Sequence, residues 1–471
     1  MAEAIVMYPS PMISHLKPIV TLAKFILSTR PSISIHILLP PQERDSDHTT
    51  VAINSYVAEI SAALPSLKFH YLPNEIHPPN DVPAANREVE GFRALLRRNP
   101  LIRQALEEIS KTCTIAAFVI DFFCTCALSV SSELNIPTYF YFTSPAGCLA
   151  FFIYLTTIHH STTKSLMELG KTLLDIPGIP PLPANDSPRP ALNRHEEVYS
   201  YFFEFSKNIP KSSGILVNTF EALEGPTVKA IRGGLCLPKQ ATPPLFCTGP
   251  LIASEDQKKA EFFPEEECIR WLHQQPCKSV VYLSFGSLGT FSKKQLNEIA
   301  IGLERSEQRF LWVVRIPPTE LGDEAESLLP KGFMERIGER GFLVMYWAPQ
   351  VAILEHPAVG GFVTHCGWNS ILEAVRAGVP MVAWPLYAEQ RLNRVLLVEA
   401  MKIATWMKED DDRFVGWDEV EKRAREIIGN QVGDVLRERC GAMKGAAQAA
   451  LMPDGSAVAD LERFLDSMPL P

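Results

Sequence analysis

Short apolar runs alternate with amphipathic stretches along nearly all of the 471 residues, and they do so in two sets. The first set of runs covers residues 4–8, 33–39, 67–72, 116–120 and 138–142. The second covers 279–285, 309–315, 342–346, 361–364 and 381–384. Apolar runs this short fit buried strands, and the stretches between them, notably 18–28 and 89–110, carry helical patterns. Strand and helix in alternation favour a parallel sheet with crossover helices, so an α/β chain with two doubly wound domains is predicted. Their boundary is placed at 239–254, KQATPPLFCTGPLIAS, where Pro243-Pro244 and Gly249-Pro250 make a stiff, non-helical connector with ligand across the hinge. Another Pro-rich stretch, 176–190, is expected to be a long surface loop, either beside a ligand or an inert connector. The last helix candidate, 456–466, places Val458, Leu461 and Leu465 on one face.

Composition narrows the class. With 46% hydrophobic and 21% charged residues the chain can bury a sizeable core. Its net charge of −9, from 45 basic and 54 acidic residues without a long basic run, argues against a nucleic-acid partner. The ten cysteines lack metal-ligand spacing, since Cys124-Thr-Cys126 has no second pair, and no carboxylate cluster suggests a divalent ion. The first residues, MAEAIVMYPSP, read as a strand rather than a signal peptide. The uncharged run 138–158 is broken by Pro145 and Gly147, so it reads as strand, turn and helix rather than a membrane span. A cytoplasmic monomer with reduced thiols is expected.

Chemistry concentrates in residues 347–390. Trp347 can stack on a base and Gln350 can hydrogen-bond it. The strand at 361–364 runs into His365-Cys-Gly-Trp-Asn-Ser370, followed by a helical pattern in Ile371, Leu372, Val375 and Val379. Amides at such a helix start attract phosphate. Glu373 can accept from ribose hydroxyls, and Glu389-Gln390 form an acceptor-rich pair for a sugar. Each residue alone could be a packed aromatic, a loop histidine or a solvated carboxylate; six in this order point to a nucleotide sugar.

This segment resembles, almost position for position, the signature box of plant family-one, UDP-sugar-dependent glycosyltransferases of secondary products, and the likeness extends along the chain. The resemblance implies the GT-B fold: two facing Rossmann-like domains. The expected division is 1–245 for the acceptor, 251–450 for the UDP-sugar, and 451–471 as a terminal helix returning to the first domain. It implies His15 as the general base, a role that suits an imidazole with an ordinary pKa of about 6.5. Asp121, at the end of its apolar run, could orient His15, cap the following helix, or do both. The donor set implied is Thr143, Ser287, Trp347, Ala348, Gln350, His365, Gly367, Trp368, Asn369, Ser370, Glu373, Glu389 and Gln390, with Gln390 favouring glucose. No cofactor or metal is implied beyond UDP-glucose as co-substrate, and the acceptor is a small flavonoid-like phenol. Two departures stand out. Met12-Ile13-Ser14 replaces glycines common before the histidine, narrowing the acceptor mouth, and Glu389 stands where many relatives carry Asp.

Other classes fare worse. No glycine precedes Gly91, so the first strand cannot lead into a GxGxxG turn of a nicotinamide enzyme. Gly170-Lys171-Thr172 has Ser165 where a phosphate-binding loop needs its leading glycine. C-glycosylation by the same site remains open, as does a non-catalytic UDP-sugar-binding protein, although the latter would have no need of His15 and Asp121.

Overall fold

The structure is a computed structural model that describes residues 2–40, 48–73, 87–253, 265–315 and 328–469. The chain divides into two compact units, residues 1–253 with 449–471, and residues 254–448.

In the first unit the strands are β1 (Ala2–Tyr8), β2 (Ser34–Leu39), β3 (Leu67–Tyr71), β4 (Cys113–Asp121), β5 (Thr138–Phe142), the short pair β6 (Leu173–Leu174) and β7 (Leu182–Pro183), β8 (Gly214–Val217) and β9 (Leu245–Cys247). Its helices before unit two are α1 (Ile13–Thr29), α2 (His48–Ala63), α3 (Arg87–Arg97), α4 (Asn99–Ser110), α5 (Leu128–Glu133), α6 (Ala146–Ser161), α7 (Leu166–Leu169), α8 (Glu197–Asn208) and α9 (Glu221–Arg232). The second unit holds β10 (Val280–Ser284), β11 (Arg309–Val314), β12 (Gly341–Met345), β13 (Val359–Thr364), β14 (Met381–Ala383) and β15 (Ala404–Trp406). Around them lie α10 (Glu265–His273), α11 (Lys293–Ser306), α12 (Phe333–Ile337), α13 (Gln350–Glu355), α14 (Trp368–Ala377), α15 (Gln390–Val395), α16 (Trp417–Gly429) and α17 (Gln431–Ala450). The last helix, α18 (Ser456–Ser467), belongs to the first unit.

Both large sheets are wholly parallel, in the orders β3-β2-β1-β4-β5-β8-β9 and β12-β11-β10-β13-β14-β15. In each, the first strand of the unit lies beside the fourth, and the chain winds outward from there in both directions. That reversal is the topological switch point of a doubly wound sheet, where ligands bind outside the carboxyl ends of the strands. Burial explains the apolar runs: Ala4, Ile5, Val6 and Met7 of β1 are fully buried because helices cover both faces.

Most foreseen strands are present, and residues 138–158 do form strand, turn and helix. Among the described residues no helix is long and apolar enough to cross a membrane. Five expectations need correction. The single helix over 89–110 is two, α3 and α4, because Pro100 has no N–H to donate and sits in the first turn of the second. The helix expected from 18 begins at Ile13, with Pro18 inside it, so His15 lies in the first turn rather than in a loop. The helix of the signature box ends at Gly378, left-handed at φ 77°, which puts Val379 beyond it. The Pro-rich stretch 176–190 is not a surface loop: only Pro181 and Arg189 are exposed, and Ile176, Leu182 and Ala184 are core residues. Residues 239–254 include the edge strand β9, which the prolines concealed; Ser254 lies outside the described residues.

Candidate active site

In the first unit the switch point lies between β1 and β4. The chain leaving β1 turns into α1 and presents His15; β4 ends on Asp121. His15 Nδ1 and Asp121 Oδ2 are 2.7 Å apart, the histidine 15% exposed and the aspartate fully buried. Asp121 also accepts from the Phe123 amide at 3.0 Å, capping the short 3₁₀ turn that follows β4. It is therefore cap and partner at once. Because the carboxylate can only accept, Nδ1 donates, and the tautomer that results carries its lone pair on Nε2. Phe123 meets the imidazole edge-on at 5.1 Å between centroids. Tyr141, paired with Asp121 in register, keeps its proton: burial first, then the Asp121 charge, pushes its hydroxyl pKa up. Thr143, half-buried, follows β5 at the same edge.

The turn after β5 has an anchor that sequence did not suggest. Glu224, buried near the start of α9, accepts from the amides of Ala146 and Gly147 at 2.8 and 2.9 Å and from the Thr219 hydroxyl at 2.6 Å. A carboxylate thus caps α6 from a distant helix, although burial raises its pKa.

In the second unit the switch point lies between β10 and β13, with Ser284 opposite Thr364. After β13 the chain passes through His365 and Cys366, the latter at φ 66°, to Gly367, which caps α14 without a side-chain bond. The first-turn amides of Trp368, Asn369 and Ser370 form the positive end of the helix dipole. Trp368 is buried, leaving its amide as the group that could meet a ligand, while Asn369 is exposed. His365 is 6% exposed, and burial pulls its pKa down to about 4, so it is neutral at pH 7. Its Nδ1 is buried with no hydrogen-bond partner among the described residues. Two glycines make room for the ring: a Cβ on Gly367 would fall 2.4 Å from Nε2, and one on Gly286 2.5 Å. Gly286, at φ 72°, opens the exposed turn that carries Ser287.

Gln350, at the start of α13, donates to Ser370 at 2.8 Å and to Glu373 at 2.7 Å, so three donor-set residues are linked side chain to side chain. Half-buried Trp347 and buried Ala348 precede it. Gln390 is 2% exposed, and its Oε1 accepts from the amides of Leu386 and Tyr387 at 2.8 and 2.9 Å, fixing the turn before α15; Glu389 beside it is half-buried. Asn393, another residue without a sequence signal, is buried and donates to the Cys366 carbonyl at 2.9 Å. Left-handed φ values occur at the non-glycines Tyr346 and Cys366, just past β12 and β13, and at Ala388, in the turn before α15. Such strain gathers where surrounding structure holds a ligand site in shape.

Known proteins match this chain end to end. A family model described as UDP-glucoronosyl and UDP-glucosyl transferase matches residues 252–408. An anthocyanidin 5,3-O-glucosyltransferase of a Rosa hybrid cultivar is 43% identical, covering 98% of each chain. A phloretin 2'-O-glucosyltransferase of Malus domestica is 45% identical over 99% of this chain and 100% of its own. Among solved structures, Phytolacca americana UGT2 complexed with UDP-2fluoro-glucose and pterostilbene is 36% identical, with a TM-score of 0.87 and 99% of each chain covered. Similar in fold at a TM-score of 0.88 is a Polygonum tinctorium UDP-glucosyltransferase capable of glucosylating indoxyl, 33% identical over 99% of this chain and 98% of that one. Identity of this order over the full length, on two Rossmann-like units of the GT-B class, establishes that the chain belongs to the plant UDP-glycosyltransferases and is a UDP-sugar-dependent enzyme.

Proposed function

We propose that the enzyme transfers glucose from UDP-glucose to a hydroxyl of a small polyphenol with inversion, giving a β-glucoside. The observation that carries this reading is the His15–Asp121 pair at the first switch point, at 2.7 Å with the carboxylate fully buried. His15 Nε2 takes the phenol proton as the phenol oxygen attacks the anomeric carbon. The bond from that carbon to the UDP oxygen breaks, and its electron pair leaves with the β-phosphate. Asp121 holds the tautomer and stabilises the imidazolium.

For the donor, Trp347 stacks on uracil, the Ala348 backbone and Gln350 meet its edge, and Glu373 accepts from the ribose. The amides that open α14, with His365, Asn369, Ser370 and Ser287, stabilise the departing diphosphate. Because His365 is neutral, its contribution is a hydrogen bond rather than a charge. Preorganised donors of this kind let the reaction proceed without a metal. Thr143, Glu389 and Gln390 address the sugar. Since the Gln390 oxygen is already engaged, its NH₂ is the group that distinguishes glucose from galactose.

The polyphenol class rests on relatives whose names specify anthocyanidin and phloretin, and on a neighbour complexed with pterostilbene. A place in the cytosol accords with ten free cysteines, a pattern of reducing compartments. Incubating the purified chain with UDP-glucose and a flavonoid, chalcone and stilbene panel, with products assigned by NMR, tests the reading. A β-linked O-glucoside is expected; an α-linkage, a carbon linkage or no transfer would overturn it.

A further inference from the structure

Cys366 lies between the end of β13 and the start of α14 at φ 66°, a left-handed backbone that a side chain disfavours. Such a residue persists only where its surroundings over-determine it. Here both of its backbone polar groups are held. Its N–H donates to the Thr364 hydroxyl at 3.2 Å, and its carbonyl accepts from Asn393 Nδ2 at 2.9 Å. Asn393 is 1% exposed and belongs to α15, 27 residues further along the chain. Because a carbonyl can only accept, the Asn393 NH₂ is fixed on Cys366. Buried amide side chains on one face of α15 thus serve two different turns. Gln390 accepts from the amides of Leu386 and Tyr387, whereas Asn393, one helical turn on, donates to the turn between β13 and α14.

The Cys366–Gly367 peptide is trans, so its carbonyl and the Gly367 N–H point in opposite directions. With the carbonyl turned to Asn393, that N–H is turned away from α15. We propose that Asn393 is a positioning residue for departure of the diphosphate: by holding the Cys366 carbonyl it aims the Gly367 N–H at the anion. The Gly367 N–H then adds to the first-turn amides of Trp368, Asn369 and Ser370 at the positive end of α14. Charge on the diphosphate grows as its bond to the sugar breaks, so a hydrogen bond aimed there acts more on the transition state than on the bound UDP-sugar. The inference rests on the proposed placing of the diphosphate at α14; the contacts to uracil and ribose do not depend on this peptide.

Binding of UDP, read by calorimetry, and of uridine, which lacks the phosphates and is read by ligand-observed NMR titration, tests this in the full chain. Asn393→Leu has a similar shape, no N–H to offer the carbonyl and no charge that could itself repel a phosphate. It should weaken UDP about tenfold, as for one misdirected hydrogen bond to an anion, while the Kd for uridine stays within about twofold. With UDP-glucose and a phenolic acceptor, kcat should fall about 10²-fold, against a rise in the UDP-glucose KM of no more than about tenfold. Equal losses for UDP and uridine would mean that Asn393 only holds α15 in place. Unchanged binding of both, with wild-type kcat, would mean that the peptide keeps its direction without it. Either result overturns the proposal. If Asn393→Leu fails to fold, Asn393→Ala carries the same comparison. A wild-type chain that bound UDP no more tightly than uridine would overturn the diphosphate site at α14, and this proposal with it, before any variant is compared.

Discussion

At the scale of single residues, the two switch points depend on how each imidazole is held. Asp121→Asn is the sharper probe of the first. An asparagine oxygen can still cap Phe123, but its NH₂ would face His15 Nδ1 and favour the tautomer with hydrogen on Nε2, which cannot accept the phenol proton. Turnover should fall about 10²- to 10⁴-fold while the Kd for UDP, read by calorimetry, stays within about twofold. Wild-type turnover would remove Asp121 from the mechanism. Gly367→Ala probes the second. Its Cβ would meet the buried His365 ring at 2.4 Å and push it, so UDP affinity should drop tenfold or more with His15 chemistry untouched. Unchanged UDP binding would show that the ring can yield. The box made His365 and Gly367 visible in sequence, because a helix start after a strand is a local pattern. Gly286, Asn393 and Glu224 were not visible. Each acts on a partner at least 27 residues away, through a contact that only the fold creates.

Among elements, the alternation of strand and helix was legible at the strands that flank both switch points, β1, β4, β10 and β13. It failed at β8, β9 and β15, which have four, three and three residues; β14, with three, was legible because it lies within the signature box. Polar residues inside a strand are the other blind spot. His36 on β2 is 3% exposed; its Nε2 lies 2.9 Å from the Ser34 hydroxyl and its Nδ1 2.9 Å from His70 Nε2 on β3. Neutral rings can share one N–H across that gap, whereas two protonated rings would point hydrogens at each other. Burial, then His70 and Lys68, pulls the His36 pKa down to about 4, and burial and Lys68 lower His70 as well. A depressed histidine binds its proton in the unfolded chain first, so its contribution to stability is full above about pH 6.5 and fades as pH falls toward 4. The loss attached to His36 should be ~1–3 kcal/mol. Thermal melts from pH 7 to 4.5, followed by far-UV circular dichroism, should therefore show a shallower acid slope in His36→Gln than in wild type. Parallel slopes would mean the pair does not titrate with unfolding.

For the whole molecule, the first unit is completed by the last helix of the chain. Leu461, Phe464 and Leu465 of α18, with Met468 just past its end, enter the same core cluster as β1, α1 and Phe246 of β9, each burial worth roughly 1.5–3 kcal/mol. Asp460 fastens the helix: 6% exposed, it accepts from Arg232 at 2.5 Å, from the Cys247 amide of β9 at 2.7 Å and from Arg463 at 2.5 Å. Removing that carboxylate strands a buried strand amide and loosens the half-buried arginine. Asp460→Ala should therefore cost ~2–3 kcal/mol, less than a fully buried pair because Arg232 stays in contact with water. Asp466 is the control, since its contact with Arg30 at 2.6 Å is largely exposed and Asp466→Ala should cost no more than about 0.5 kcal/mol. The chain provides its own spectroscopic separation: all seven tryptophans lie between residues 271 and 417, within the second unit. In urea, Asp460→Ala should move the early part of the far-UV transition to lower denaturant and leave the tryptophan fluorescence midpoint in place. A fluorescence midpoint that moved in step would mean that the two units unfold as one. Equal shifts for Asp460→Ala and Asp466→Ala would mean that the apolar face of α18, and not its buried carboxylate, holds the helix to the first unit.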